Sequence, residues 1–158
     1  MAAISLDDVI GQLVAVLEEG FEHPPKPWTY FTNNEPGSGL FGTLADLSAA
    51  DASRPWGGTS IAAHVHHIIF GLGASSAWIQ GDRTFRNWAE SWSVSTVDDV
   101  AWSQLVERLR AGYEALRRSI ESHASSSVES MGGAIGAVAH VAYHLGAIRQ
   151  KLSYGRAG

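Results

Sequence analysis

Apolar residues recur at helical spacing along four stretches of the chain, and no stretch alternates in the manner of a strand. The first runs from about Leu6 to Glu22, with Ile10, Leu13, Val14 and Leu17 on one side. Ser5, with Asp8 three residues later, gives it a capping-box start. The second begins at Thr59 or Ser60 and continues to about Ile79. Ile61, Val65, Ile68, Ile69 and Leu72 share one side of it, while Phe70, Ala74 and Trp78 make the opposite flank apolar as well. A helix with so little polar surface is expected to pack against more than one neighbour, as in a bundle that also dimerises. The third opens at Thr96, with Asp99 completing a capping box, and carries a stripe of Trp102, Leu105, Leu109, Tyr113, Leu116 and Ile120. Its other side is charged, with Glu114 and Arg118 paired at i,i+4. The fourth spans about Met131 to Leu152, and its glycines and alanines would let a partner helix approach closely.

Between these stretches the chain is punctuated. Pro24, Pro25, Pro27 and Pro36 forbid a regular helix across the loop His23 to Pro36. Leu40, Leu44 and Leu47 suggest a short helical turn, Ser53 to Gly58 reads as a break, and Gly81 to Ser95 is a linker holding Trp88 and Trp92. A serine-rich turn, Ala124 to Ser130, precedes the last helix. The expected architecture is a single all-α domain over residues 1–158, a four-helix bundle with one long crossover.

Length and composition agree with one soluble domain. The 158 residues are 45% hydrophobic and 17% charged, and suffice for one sizeable core. The formal net charge of -5 and the lack of any Lys/Arg run argue against nucleic acid or an anionic membrane as partner. The N-terminal stretch has neither a basic region nor a clean apolar one, so it is not expected to act as a signal peptide. Met131 to Ile148 carries no formal charge, but it holds two histidines and four glycines. Imidazoles are costly in lipid, so a core helix is expected there and the cytoplasm is the expected compartment. Cysteine is absent, which removes disulfides, thiolate metal sites and cysteine nucleophiles. Any metal must be held by imidazole, carboxylate or water, and any thiol must come from outside the chain.

Of the seven histidines, five fall in two short segments. His140 and His144 are four apart on a helix, about 40° apart on its wheel and one turn apart along its axis, so both rings can reach one ion. Val138, Val141, Leu145 and Ile148 place the pair in apolar surroundings, where an imidazole needs a partner. The second helix offers His64, His66 and His67. His66 points away from the main apolar side and is expected to be solvated. His64 and His67 share a flank, and the wheel alone slightly favours His64. Three neutral imidazoles with no fourth protein ligand would leave coordination positions open, the pattern of a catalytic site. Zn²⁺, Ni²⁺ and Fe²⁺ all suit such donors.

Two of these segments resemble motifs of the DinB/YfiT-like superfamily of metalloenzymes. Ala139 to Gln150 (AHVAYHLGAIRQ) is similar to the C-terminal helix motif of a histidine, three residues, then His-x-Gly. Thr59 to Ile68 (TSIAAHVHHI) looks like the second-helix motif, in which a Ser or Thr opens the helix and the ligand histidine follows seven residues later. Counting from Ser60 gives His67, so the resemblance implies His67, His140 and His144 as metal ligands in an up-down-down-up four-helix bundle. Ala147 follows Gly146 where the family often has glutamine, so no contact of that glutamine is carried over. The better understood members use low-molecular-weight thiols such as bacillithiol or mycothiol. The implied function is therefore a metal-dependent thiol S-transferase acting on a small electrophilic substrate, as a homodimer.

Two other readings stand beside it. Metal-assisted hydrolysis is one, though no matched motif offers a general base. A non-enzymatic stress-response or ligand-binding bundle with a structural or vestigial metal is another. In that case Trp28, Trp56, Trp78, Trp88 and Trp92 would line an apolar pocket, although they serve equally as core anchors. Tyr143 and Arg149 lie near enough to orient a substrate, but packing and a solvated helix end are the readier explanations.

Overall fold

The computed structural model describes residues 3–22 and 27–157, and within them every regular element is helical. His23, Pro24, Pro25 and Lys26, the start of the proline-rich loop, lie outside the described residues. Six α-helices follow in order: α1 (Leu6–Phe21), α2 (Leu40–Leu44), α3 (Ala49–Ala52), α4 (Ile61–Ile79), α5 (Asp99–His123) and α6 (Val128–Ala157). Short 3₁₀ turns lie at Trp56–Gly58, Trp88–Trp92 and Ala124–Ser126. The four long helices are those the periodicity predicts; α3 and the turn at Trp88–Trp92 are additions.

Local chemistry sets the helix starts. Ser5 and Asp8 form the expected capping box, and the Ser60 hydroxyl accepts from Ala63 N at 3.0 Å to open α4. At α5 the expectation needs correcting. Asp98, not Thr96, is the cap, its carboxylate accepting from Ala101 N at 2.8 Å. Asp98 stands directly before the first helical residue, Asp99, where its carboxylate reaches the N–H groups of the first turn. α6 also starts earlier than expected, because the Ser127 hydroxyl accepts from Ser130 N at 3.0 Å and so caps a helix from Val128.

α4 packs on α5 along one side and on α6 along another, while α1 meets α5 and α6 and stands diagonal to α4. Between them lies a core that includes Leu17, Phe21, Ile68, Leu72, Leu109, Leu116, Leu145 and Ile148. Phe21 lies 4.5 Å from Tyr113 and 5.4 Å from Phe41 between ring centroids, closing one end. The second apolar flank of α4, read as a surface for another subunit, is partly used within the chain: Phe70 packs on Trp88 at 5.2 Å. α6 is long and apolar enough to cross a membrane by length and composition. Here one of its faces supplies core residues Val141, Leu145 and Ile148.

Two polar fastenings fix the frame. Ser130 donates to the Ile79 carbonyl at 2.8 Å and Trp78 Nε1 donates to the Glu129 carbonyl at 3.1 Å. The first supplies a partner for a terminal carbonyl of α4, and together they tie the C-terminus of α4 to the start of α6. Elsewhere Glu19, only 2% exposed, accepts from the backbone N–H of Tyr30, Phe31 and Thr32 at 2.7–2.8 Å and from the Thr32 hydroxyl at 3.1 Å. Burial pushes its pKa up, but these donors together outweigh burial and hold the carboxyl below its ordinary value.

Candidate metal centre

The beginning of α4 and the middle of α6 lie side by side, and this brings four histidines together. His67, His140 and His144 each offer a ring nitrogen, and these atoms all lie within 4.8 Å of one another. The closest approach is His67 Nε2 to His140 Nε2, at 2.9 Å. Two nitrogens bound to one ion at about 2.1 Å and a right angle would be about 3 Å apart, so this spacing suits adjacent ligands. His144 and His67 are buried, at 4% and 8% exposure, and His140 is half-buried.

Hydrogen bonds determine which nitrogen of His67 is free. The Ser91 hydroxyl donates to the Trp88 carbonyl at 2.6 Å and so is left as acceptor towards His67 Nδ1, 2.7 Å away. His67 therefore carries its proton on Nδ1 and turns a bare Nε2 towards His140. His66 Nδ1 donates to the Ser91 carbonyl at 2.7 Å. That corrects the expectation of a solvated His66: it is half-buried and, with His67, grips the same serine.

His64 completes the cluster from the other side. Its Nδ1 lies 3.0 Å from His144 Nδ1, and its Nε2 lies 3.1 Å from the Thr59 hydroxyl. Only one arrangement leaves His144 Nε2 free for an ion. In it His144 Nδ1–H donates to His64 Nδ1, and His64 Nε2–H donates to Thr59. The wheel preference for His64 and the motif count to His67 thus both point to the centre, with His64 placed behind His144.

The donors fit a divalent transition ion. Burial first, then the neighbouring imidazoles, push the pKa of His67 down to about 4 and that of His144 to about 3. Burial also lowers His140, and burial followed by Lys151 and His67 brings His64 to about 4. At neutral pH these rings are uncharged, so their lone pairs are available. The triad includes no carboxylate, and three soft-to-borderline nitrogen donors suit Zn, Ni or Fe better than Ca or Mg.

Aromatic rings cover the centre. Trp92 stacks on His67 at 4.1 Å and 18°, and Trp88 reaches His67 and His140 at 5.8 and 6.2 Å. Trp28, Trp78, Trp88 and Trp92 are all exposed, so the core-anchor reading fails for them; the buried tryptophan is Trp102. Tyr143 is 72% exposed, with its ring 5.0 Å from His144, which replaces the expectation of simple packing. Arg149 borders a separate small cavity with Asp46 and Leu47.

Two residues of the centre left no signal in the periodicity. Ser91 sits in a 3₁₀ turn, which has no helical repeat to read. Gly71 lies one turn beyond His67, where a Cβ would come within 2.6 Å of His140 Cε1. Its small size lets the His140 ring lie against α4; a glycine inside an otherwise apolar helix was the available hint. No family model, no curated protein and no solved structure matches this chain.

Proposed function

We propose that the protein is a metal-dependent enzyme of the DinB/YfiT-like kind, an up-down-down-up four-helix bundle holding Zn, Ni or Fe through His67, His140 and His144. The observation that carries this reading is the convergence of three imidazoles, with the second nitrogens of His67 and His144 already engaged. An ion bound there would supply Lewis acidity towards a low-molecular-weight thiol, favouring the thiolate that attacks a small electrophile. The chain's own part is to present neutral rings, to fix their tautomers through Ser91 and His64, and to limit water with Trp88 and Trp92. A cytoplasmic homodimer belongs to the same reading. The groove of about 700 Å³ between α1 and α6, lined by Ile4, Val9 and Ile135, is apolar surface a second copy would cover.

Metal analysis of the native protein beside His67→Ala and His144→Ala is the test. The reading expects about one first-row metal per chain in the native protein and little in the variants. A metal-free native protein whose melting temperature ignores added Zn²⁺ or Ni²⁺ would sink it. Thiols with electrophiles, assayed beside simple esters, separate S-transfer from hydrolysis.

The Trp92 ring stacked on His67 favours a second reading, a structural or vestigial metal in a non-enzymatic bundle. In the Co²⁺-substituted protein, a visible spectrum unchanged by added thiol would select it.

A further inference from the structure

We infer that the cleft between the end of α4 and the start of α6 is a binding site for an uncharged, planar aromatic small molecule whose reactive end faces the histidine centre. The clause about the reactive end rests on the proposed function; the binding site itself does not.

The cleft encloses about 760 Å³, within the range of small-molecule sites. Its walls are Trp78, Phe85 and Trp88, and Gly132 and Gly136 of α6 lie along its floor. Phe85 is 87% exposed, an aromatic ring left without cover at the mouth. The inner end borders the metal centre. Trp88 lines the cleft and also approaches the rings of His67 and His140. Gly136 stands one turn before His140 on α6, and Ala74 stands three residues beyond the Gly71 against which His140 lies.

The shape favours a flat occupant. Glycine within a helix costs about 1 kcal/mol relative to alanine, and it usually repays that by letting something approach. Gly133 does so for Trp78, whose Cδ1 would be 2.6 Å from an added Cβ. Gly132 and Gly136 have nothing of this chain within 4 Å of that position. The room they leave opens into the cleft, where Phe85 and Trp88 supply aromatic surface suited to stacking. The charges on the lining cancel. Asp82 and Glu129 balance Arg83 and Arg86, Arg86 pairs with Asp82 at 2.8 Å, and the Arg83 guanidinium lies 3.9 Å from the Trp78 ring centroid. No net field there selects an ion, so an uncharged body is preferred.

2-Naphthol is a suitable probe, followed by saturation-transfer NMR and titration with metal-free and Co²⁺-loaded protein. One site is expected in both forms, with 2-naphthalenesulfonate binding several-fold more weakly. Gly136→Leu puts a side chain into the cleft from a position whose Cβ has no neighbour within 4 Å and should weaken 2-naphthol at least tenfold, while Ala139→Leu, on the opposite groove, should leave it unchanged. Gly132→Leu serves as second plug, and thermal melts verify that each variant folds. In the Co²⁺ form, bound naphthol protons should relax faster than in the metal-free form. No binding, or binding that survives both plugs in folded protein, overturns the site. Binding without paramagnetic relaxation in Co²⁺-loaded protein overturns its link to the histidines. Failure to take up Co²⁺ counts against the proposed function instead, and the plug variants still decide the cleft.

Discussion

Glu19 and the histidine cluster are both buried polar groups, but they are satisfied in opposite ways. The Glu19 carboxylate receives four donors, all from residues Tyr30 to Thr32, and needs nothing from outside the chain. At the histidines, by contrast, outer hydrogen bonds turn the Nε2 lone pairs of His67 and His144 inward, and without an ion only a proton on His140 Nε2 bridges the 2.9 Å to His67 Nε2. Buried polar groups are ordinarily paired within the protein. A closed network stabilises the fold, whereas a convergent set of lone pairs calls for an added ion. Each can therefore be broken with little effect on the other.

The largest expected effect is on the ion. His144→Ala should lower Zn²⁺ affinity by about a thousandfold or more, read by competition with a chromogenic chelator, with the Glu19 network untouched. It should also abolish the stabilisation by added metal, which for the native chain is about 2.7 kcal/mol at a hundredfold excess over Kd. Next is Glu19→Gln, which keeps the shape but turns one oxygen into a donor facing the N–H of Tyr30 or its neighbours. A loss of about 2–3 kcal/mol in urea unfolding is expected, with metal affinity unchanged. Smaller again is Gly71→Ala. The added methyl displaces the His140 ring, so metal affinity should fall about tenfold while metal-free stability shifts by about 1 kcal/mol or less.

The gentlest probe is pH, to which the two regions begin to respond at different points. In metal-free protein the folded pKa values of His64, His67 and His144 lie below the ordinary 6.5, so the unfolded chain binds more protons there. Their contribution is complete above pH 6.5 and is lost as pH falls, through about 4 for His64 and His67 and about 3 for His144. The folded pKa of Glu19 is also lowered, from 4.5, so its contribution is held above that pH and is lost only in more acid solution. Stability should begin to fall below pH 6.5 and fall more steeply below 4.5, where His144 and Glu19 titrate together, and Glu19→Gln should remove only that added steepness.

What could be read in the sequence was what is local. Ser5 and Ser60 announce helix starts through contacts three residues long, and His140 and His144 share a face by spacing alone. The early start of α6 was hidden because its serines, read as a turn, act as a cap. His66 escapes the helical pattern for a different reason: its partner is the Ser91 carbonyl, 25 residues away in a segment without periodicity. Choosing between His64 and His67 from the wheel asked for one answer where packing uses both. Trp88 and Trp92 likewise gained their place only when the linker folded back over α4.

The double grip on Ser91 also bears on timing. His67 holds its hydroxyl and His66 its carbonyl, so lifting Trp88 and Trp92 away breaks two hydrogen bonds first. An ion approaching the histidines from the Trp88 and Trp92 side meets a latched door whose catch includes one of the ligands. Stopped-flow uptake of Co²⁺ should therefore level off with rising ion concentration at a rate set by the door. In Ser91→Ala that plateau should rise.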